Sequence, residues 1–188
     1  EACCAAGVGR IVQQGIAMVN AAGATLADED TAFQPGDNPT ATKAVEASIA
    51  MEETIRQSGL DWLILRGGLF YGPGTGLDDD WFARAAAGKL RLPADGPDYV
   101  SLVHIADMAA ATVAAVGAGV WRRALIVAEE GAGGWRGWFG YVAELAGAPS
   151  PATGGRPGFP SFRVSNARAR GALSWTPRYS DYCAGLVS

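Results

Sequence analysis

Few residues in this sequence are equipped to move a proton or hold a charge, and the chemistry open to them is narrow. Tyr71 stands in the run GGLFYGPGTG (67–76), where a phenol could face a ligand as a hydrogen-bond donor; packing in the core is the other reading open to it. His104, the single histidine, lies between Leu102, Val103 and Ile105, as a hydrogen-bonded structural side chain or as a polar contact to a substrate. Asp78-Asp79-Asp80 could hold a cation, but solvated carboxylates with Asp80 capping a helix are the simpler account. Arg66 follows an apolar run and is expected to pair with a carboxylate, while Arg91 and Arg178 lie on the surface or reach an anionic substrate. Cys3, Cys4 and Cys183 are odd in number and lack CxxC spacing, which fits neither a disulfide framework nor a zinc site. Reduced thiols in a cytoplasmic protein are expected, and no metal.

The chain that positions these groups has 188 residues, 49% hydrophobic and 18% charged, with a net charge of −4. That length predicts a single domain (1–188), and a mean hydropathy of +0.10 is enough for a sizeable core. A pI near 5.0 with scattered arginines argues against a nucleic-acid partner. No apolar run approaches the roughly 18–20 residues of a membrane span, and residues 1–9 show no signal peptide.

Periodicity supplies the elements. Residues 1–7 read as the tail of a helix, and 10–18 (RIVQQGIAM) as a buried strand. Residues 21–40, rich in turn formers, read as a loop. Val45, Ile49, Met51 and Ile55 predict a helix over 43–58 with Gly59 as its stop. DWLILR (61–66) is a second apolar strand, which makes a βαβ unit of a parallel sheet covered by helices. Further helices are expected at 80–88, 106–116, 135–146 and 166–173, further strands at 99–105 and 124–128, and loops at 91–98 and 148–161. Ile11–Ala17, Trp62–Leu65 and Ala124–Val127 are expected to be parallel strands, with ligands at their C-terminal ends.

Four phrases in order, EACCAAGVGRIV (1–12), LILRGGLFYGPGTG (63–76), SLVHIADMAAATVAAV (101–116) and SNARARGALSWTPRY (165–179), resemble the extended and atypical short-chain dehydrogenase/reductases, the NAD-dependent epimerases and dehydratases. The resemblance implies an α/β fold: a Rossmann-like parallel sheet without its N-terminal strands, and a small C-terminal substrate-binding lobe. It assigns 1–72 and 99–130 to the core, and 73–98 and 131–188 to the lobe. It also implies NAD or NADP as cofactor, with weak or absent binding by this chain. No GxxGxxG follows a strand here, and GAGG (131–134) reads as a flexible turn.

By the same resemblance Lys43 stands where the family's catalytic Lys lies, but the position four residues earlier is Pro39 instead of Tyr, and the strand end reads Gln13-Gln14-Gly15 instead of Ser. The expected cleft is walled by Gln13, Gln14 and Gly15, by Lys43 and Tyr71 as catalytic groups, by Gly67, Gly68 and Phe70 against a cofactor or flat ligand, and by Arg91 and His104 against substrate. Strand 10–18 needs a cover on its outer side, from a missing N-terminal segment or a second copy in a homodimer. The implied activity is that of a reductase- or epimerase-like enzyme on a small metabolite or sugar-like substrate. A cofactor-independent cyclase, dehydratase or isomerase and a silent binding or scaffold protein are the alternatives.

Overall fold

Asn38 and Pro39 start the helix around which the sheet is organised. The Asn38 side chain accepts hydrogen bonds from the Thr40 and Ala41 amides at 3.0 and 3.2 Å, and Pro39 takes the first helical position, where its missing N–H costs nothing. The helix therefore begins four residues before the expected start at 43, because Asn-Pro is a helix entrance here and not part of the loop. The structure, a computed structural model, describes residues 2–34, 38–94, 98–131, 133–155 and 159–187.

In chain order the elements are α1 (Ala2–Ala5), β1 (Arg10–Ile16), a 3-10 turn (Ala17–Asn20), β2 (Leu26–Ala27), α2 (Pro39–Arg56), β3 (Asp61–Gly67), β4 (Leu69–Tyr71), α3 (Leu77–Ala86) and β5 (Arg91–Pro93). There follow β6 (Tyr99–Val100), β7 (Leu102–His104), α4 (Ile105–Gly117), β8 (Arg123–Val127), β9 (Gly133–Gly134), α5 (Trp135–Leu145), β10 (Ala152–Gly155), β11 (Arg163–Val164), α6 (Ala167–Leu173) and α7 (Tyr182–Gly185). The central sheet has the order β1-β3-β8 and is parallel throughout, as the apolar runs predict. Among the described residues β1 pairs on one side only.

Side-chain alternation gives the sheet two different faces. Leu63, Leu65, Leu125 and Val127 pack with Met108, Ala111 and Ala115 of α4 and with Ala169, Leu173 and Trp175. The opposite face carries Arg66 toward Glu52 of α2. A second apolar cluster is built from Trp81, Trp135, Trp138 and Phe139 with Tyr71, Leu102, Ile126 and Phe162. It joins α3 and α5 to the ends of the strands.

Four expectations are corrected. Residues 91–93 and 152–155, expected in loops, form a parallel pair, β5 with β10, and Leu26–Ala27 pairs with Arg163–Val164. The expected strand 99–105 breaks at Ser101, and Ile105 already belongs to α4. Asp80 does not cap α3, which starts at Leu77 behind Gly76 at φ 75°, a left-handed conformation suited to glycine. Asp78 instead accepts the Gly72 amide at 2.6 Å, tying the loop after β4 to the helix.

Candidate functional site

Parallel pairing of β4 with β7 sets Tyr71 directly opposite His104, and β8 ends two residues before Glu129. Three proton-carrying side chains thus converge at the C-terminal ends of strands. The Tyr71 ring lies edge-on to His104 and to Trp138, at centroid distances of 5.1 and 5.3 Å. His104 Nδ1 accepts the Ala106 amide at 3.2 Å and so caps α4. In the neutral ring the proton then sits on Nε2, which is buried without a partner. Burial holds His104 below the usual histidine range, Arg178 adds to that, and Asp107 opposes it.

Glu129 is only 3% exposed, and neither carboxylate oxygen has a hydrogen-bond partner. Burial, helped by the charges of Asp181 and Asp107, pushes its carboxyl up to about 8, although Tyr71 and the Tyr182 backbone favour the ionised form. Tyr71 is driven far above the usual phenol range by burial and by the neighbouring Glu129 charge. Its hydroxyl donates to the Asp181 carbonyl at 3.4 Å, so the contact with Glu129 is electrostatic proximity and not a formed hydrogen bond. Residues 178–185 close the cluster. Asp107 accepts the Arg178 and Tyr179 amides at 2.7 and 3.0 Å, Tyr179 lies 4.2 Å from the His104 ring, and any side chain at Gly185 would collide with the Tyr71 hydroxyl. At neutral pH the site holds a protonated carboxyl, a phenol and a neutral imidazole, groups suited to donating a proton.

A second polar cluster lies on the α2 face of the sheet. Arg66 is bidentate to Glu52 at 2.9 and 2.7 Å, as its position after an apolar strand predicts, and it also donates to Asn20 Oδ1 and the Glu29 carbonyl at 2.9 and 3.1 Å. Glu29 accepts the Ile126 amide at 2.9 Å. These contacts pin residues 20–31 to the sheet.

The other expected site residues are dispersed. Lys43 is exposed on α2, near the helix start and hence on the C-terminal side of β1. Gln13 is half-buried and donates to the Gln14 carbonyl at 2.8 Å; Gln14 is exposed, and Gly15 is buried against Glu52 and Ile64. Gly67 and Gly68 are filled spaces: a Cβ would lie 2.8 Å from the Phe70 ring at one and 2.7 Å from the Ser101 carbonyl at the other. Close packing accounts for both glycines, and the flat ligand expected there has no room. Arg91 is exposed and donates to the Gly88 and Leu90 carbonyls at 2.7 and 2.8 Å. Of the expected polar side chains, Tyr71 and His104 are brought together, while Gln13, Gln14, Lys43 and Arg91 lie apart from them on β1, α2 and β5. Glu129 was missed, though a carboxylate immediately after an apolar strand was a readable signal.

The residues present do not fit a dinucleotide's pyrophosphate, which needs free amides at a helix start. In α2, α4 and α5 those amides are taken by Asn38, His104 and Asp98, and α3 opens with three aspartates. Of the GAGG run, Ala132 lies outside the described residues, while Gly133 and Gly134 pair with Val100 and Tyr99. Among the described residues no group of His, Cys, Asp and Glu is placed to hold a metal, and no helix is long and apolar enough to cross a membrane.

No protein-family model matches the sequence. The chain is 34% identical to a 3-diazoavenalumate denitrifying reductase from a Streptomyces species, over 99% of this chain and 66% of that protein. A dTDP-glucose 4,6-dehydratase from Streptomyces venezuelae, solved with NAD, superposes with a TM-score of 0.79 at 22% identity, over 98% of this chain and 59% of that one. The NAD complex of a UDP-glucose 4-epimerase from Thermus thermophilus gives 0.77 at 22%, over 98% and 64%. The chain spans about two thirds of these proteins' length. The chain is thus related in sequence to a reductase and shares the fold of the NAD-binding epimerases and dehydratases of the short-chain dehydrogenase/reductase type.

Proposed function

We propose that this chain is the substrate side of a short-chain dehydrogenase/reductase-type enzyme that acts on a small metabolite at the C-terminal edge of the sheet. The partnerless carboxyl of Glu129 beside Tyr71 and His104 carries this reading, because a buried, unsatisfied, neutral acid at a strand end is costly unless it is used. Tyr71 and Glu129 would hand a proton to the substrate, and His104 would hold the floor of the site through its cap on α4. Lys43, at the start of α2, would bring a cation to the same edge. The open side of β1 is where further chain or a second copy would pair, and NAD or NADP would be held mainly outside these residues. The first substrates to test are a diazo-substituted avenalumate, after the reductase relative, and nucleotide-activated glucose, after the structural neighbours.

A second reading, cofactor-independent dehydration, isomerisation or cyclisation, is favoured by one observation: the starts of α2, α4 and α5 already hold their own acceptors. One assay separates the two. Each substrate is incubated with the protein with and without NADH, NADPH or their oxidised forms, and product is followed by chromatography. Turnover that requires the nicotinamide supports the first reading, and turnover without it supports the second. No turnover in any arm contradicts both. Lys43→Ala and Tyr71→Phe are each expected to lower turnover about tenfold or more.

A further inference from the structure

An open cavity of about 720 Å3 lies between β3, β8, α2 and α6. It extends to the N-terminal ends of β3 and β8, the edge opposite the Tyr71–Glu129 cluster. Its lining is unusually cationic, with Arg56, Arg66, Arg122, Arg123 and Arg168 against Glu29 and Asp30. These charges divide by position. Arg66 is consumed by Glu52, Asn20 and Glu29, and Arg168 is held by Asp28, Glu29 and Asp30. At the other end Arg56 shares the same Glu52 and lies over the Trp62 ring at 5.6 Å. Arg122 reaches Asp61 through Nε at 3.4 Å, and among the described residues its terminal nitrogens have no acidic partner. Arg123 is exposed and has no acidic partner among the described residues.

The backbone supports the arrangement. Arg122 adopts φ 59°, one of two non-glycine residues in the left-handed region among those described. Such a conformation costs of order 1 kcal/mol and recurs at ligand sites. It lets two consecutive guanidinium groups stand at the mouth of one cavity. Guanidinium forks match the oxygens of phosphate and carboxylate groups in bidentate fashion.

We propose that this cavity binds a small, multiply charged oxyanion, bearing phosphate or carboxylate groups, through Arg122 and Arg123 with Arg56 behind them. The site is separate from the strand-end cluster and does not depend on the function assigned there. Calorimetric titration of the 188-residue chain with pyrophosphate, and separately with citrate, tests it. At least one probe is expected to bind one-to-one with a dissociation constant below about 1 mM and to weaken between about 20 and 200 mM salt. Which probe binds tells phosphate from carboxylate. The exposed pair R122N/R123Q should lose about tenfold or more, and R91Q, an exposed arginine elsewhere, should stay within about twofold. If circular dichroism shows the double variant misfolded, Arg123→Gln alone should weaken binding at least about threefold. No saturable binding of either probe, equal binding by the folded arginine variant, or an equal loss in R91Q would overturn the proposal.

Discussion

The molecule buries two polar clusters, and they are finished to different degrees. Around Arg66, every donor of the guanidinium face that meets the protein has an acceptor, and Glu52, 1% exposed, gives both oxygens to it. Around Tyr71, Glu129 has two partnerless oxygens and His104 a partnerless Nε2. A satisfied ion pair fixes a fold, whereas an unsatisfied neutral acid raises the energy of the fold it sits in. The first cluster is therefore architecture. The second carries a cost that the proposed role in proton transfer would explain.

The largest effect expected from this contrast is on the Arg66 side. Glu52→Ala leaves a buried guanidinium uncompensated and should cost about 3–5 kcal/mol in urea unfolding, while replacing both partners by Leu and Met should recover most of that. Equal loss in the double variant would make the network more than architectural.

Glu129 should behave in the opposite way. Its folded-state pKa of about 8 stands above the ordinary value of 4.5, so the folded state keeps a proton that the unfolded state releases. The stability this contributes is complete below pH 4.5 and is lost as pH rises through 8, with a slope approaching about 1.4 kcal/mol per pH unit. The lowered pKa of His104 acts in the reverse sense below its ordinary value of 6.5, so the clean window runs from there to about pH 8. Glu129→Gln should flatten the melting-temperature profile in that window. A profile identical to that of the unmodified protein would remove the buried neutral acid from the account.

A smaller effect is expected at the cover. Gly185→Ala sets a methyl group against the Tyr71 hydroxyl and should cost about 1–3 kcal/mol if the segment is held in place. Hydrogen exchange would show where the loss falls. Faster exchange confined to 181–186 means that the cover opens alone; a global loss means that it is integral to the core.

The parallel sheet is legible in the sequence because DWLILR is a continuous apolar run, RIVQQGI has strand length with apolar ends, and Lys43–Ser58 has helical spacing between them. The entrance to α2 is written as Asn38-Pro39, but those residues also fit a turn, and only the hydrogen bonds of Asn38 decide between the two. The β5–β10 and β2–β11 pairs join segments without periodicity across long stretches of chain, so no local pattern announces them. At the site, Tyr71 is visible in a run after a strand and His104 on a short apolar strand, yet their burial depends on α5 and residues 178–185. Gly67 and Gly68 look like room for a ligand until Phe70 and Ser101 fill it. The state of Glu129 is set by desolvation, which a linear sequence does not carry.

In the proposed function the Tyr71–His104–Glu129 cluster does the chemistry and the Arg66 network does not. The most direct test is kcat for the Glu129→Gln protein on the substrate turned over by the unmodified enzyme, with stability measured in parallel at pH 8. The account predicts a fall of about tenfold or more in kcat, roughly 1.4 kcal/mol of lost transition-state stabilisation, in a protein at least as stable as its parent. A kcat within about twofold of the parent's in an equally folded protein would contradict it.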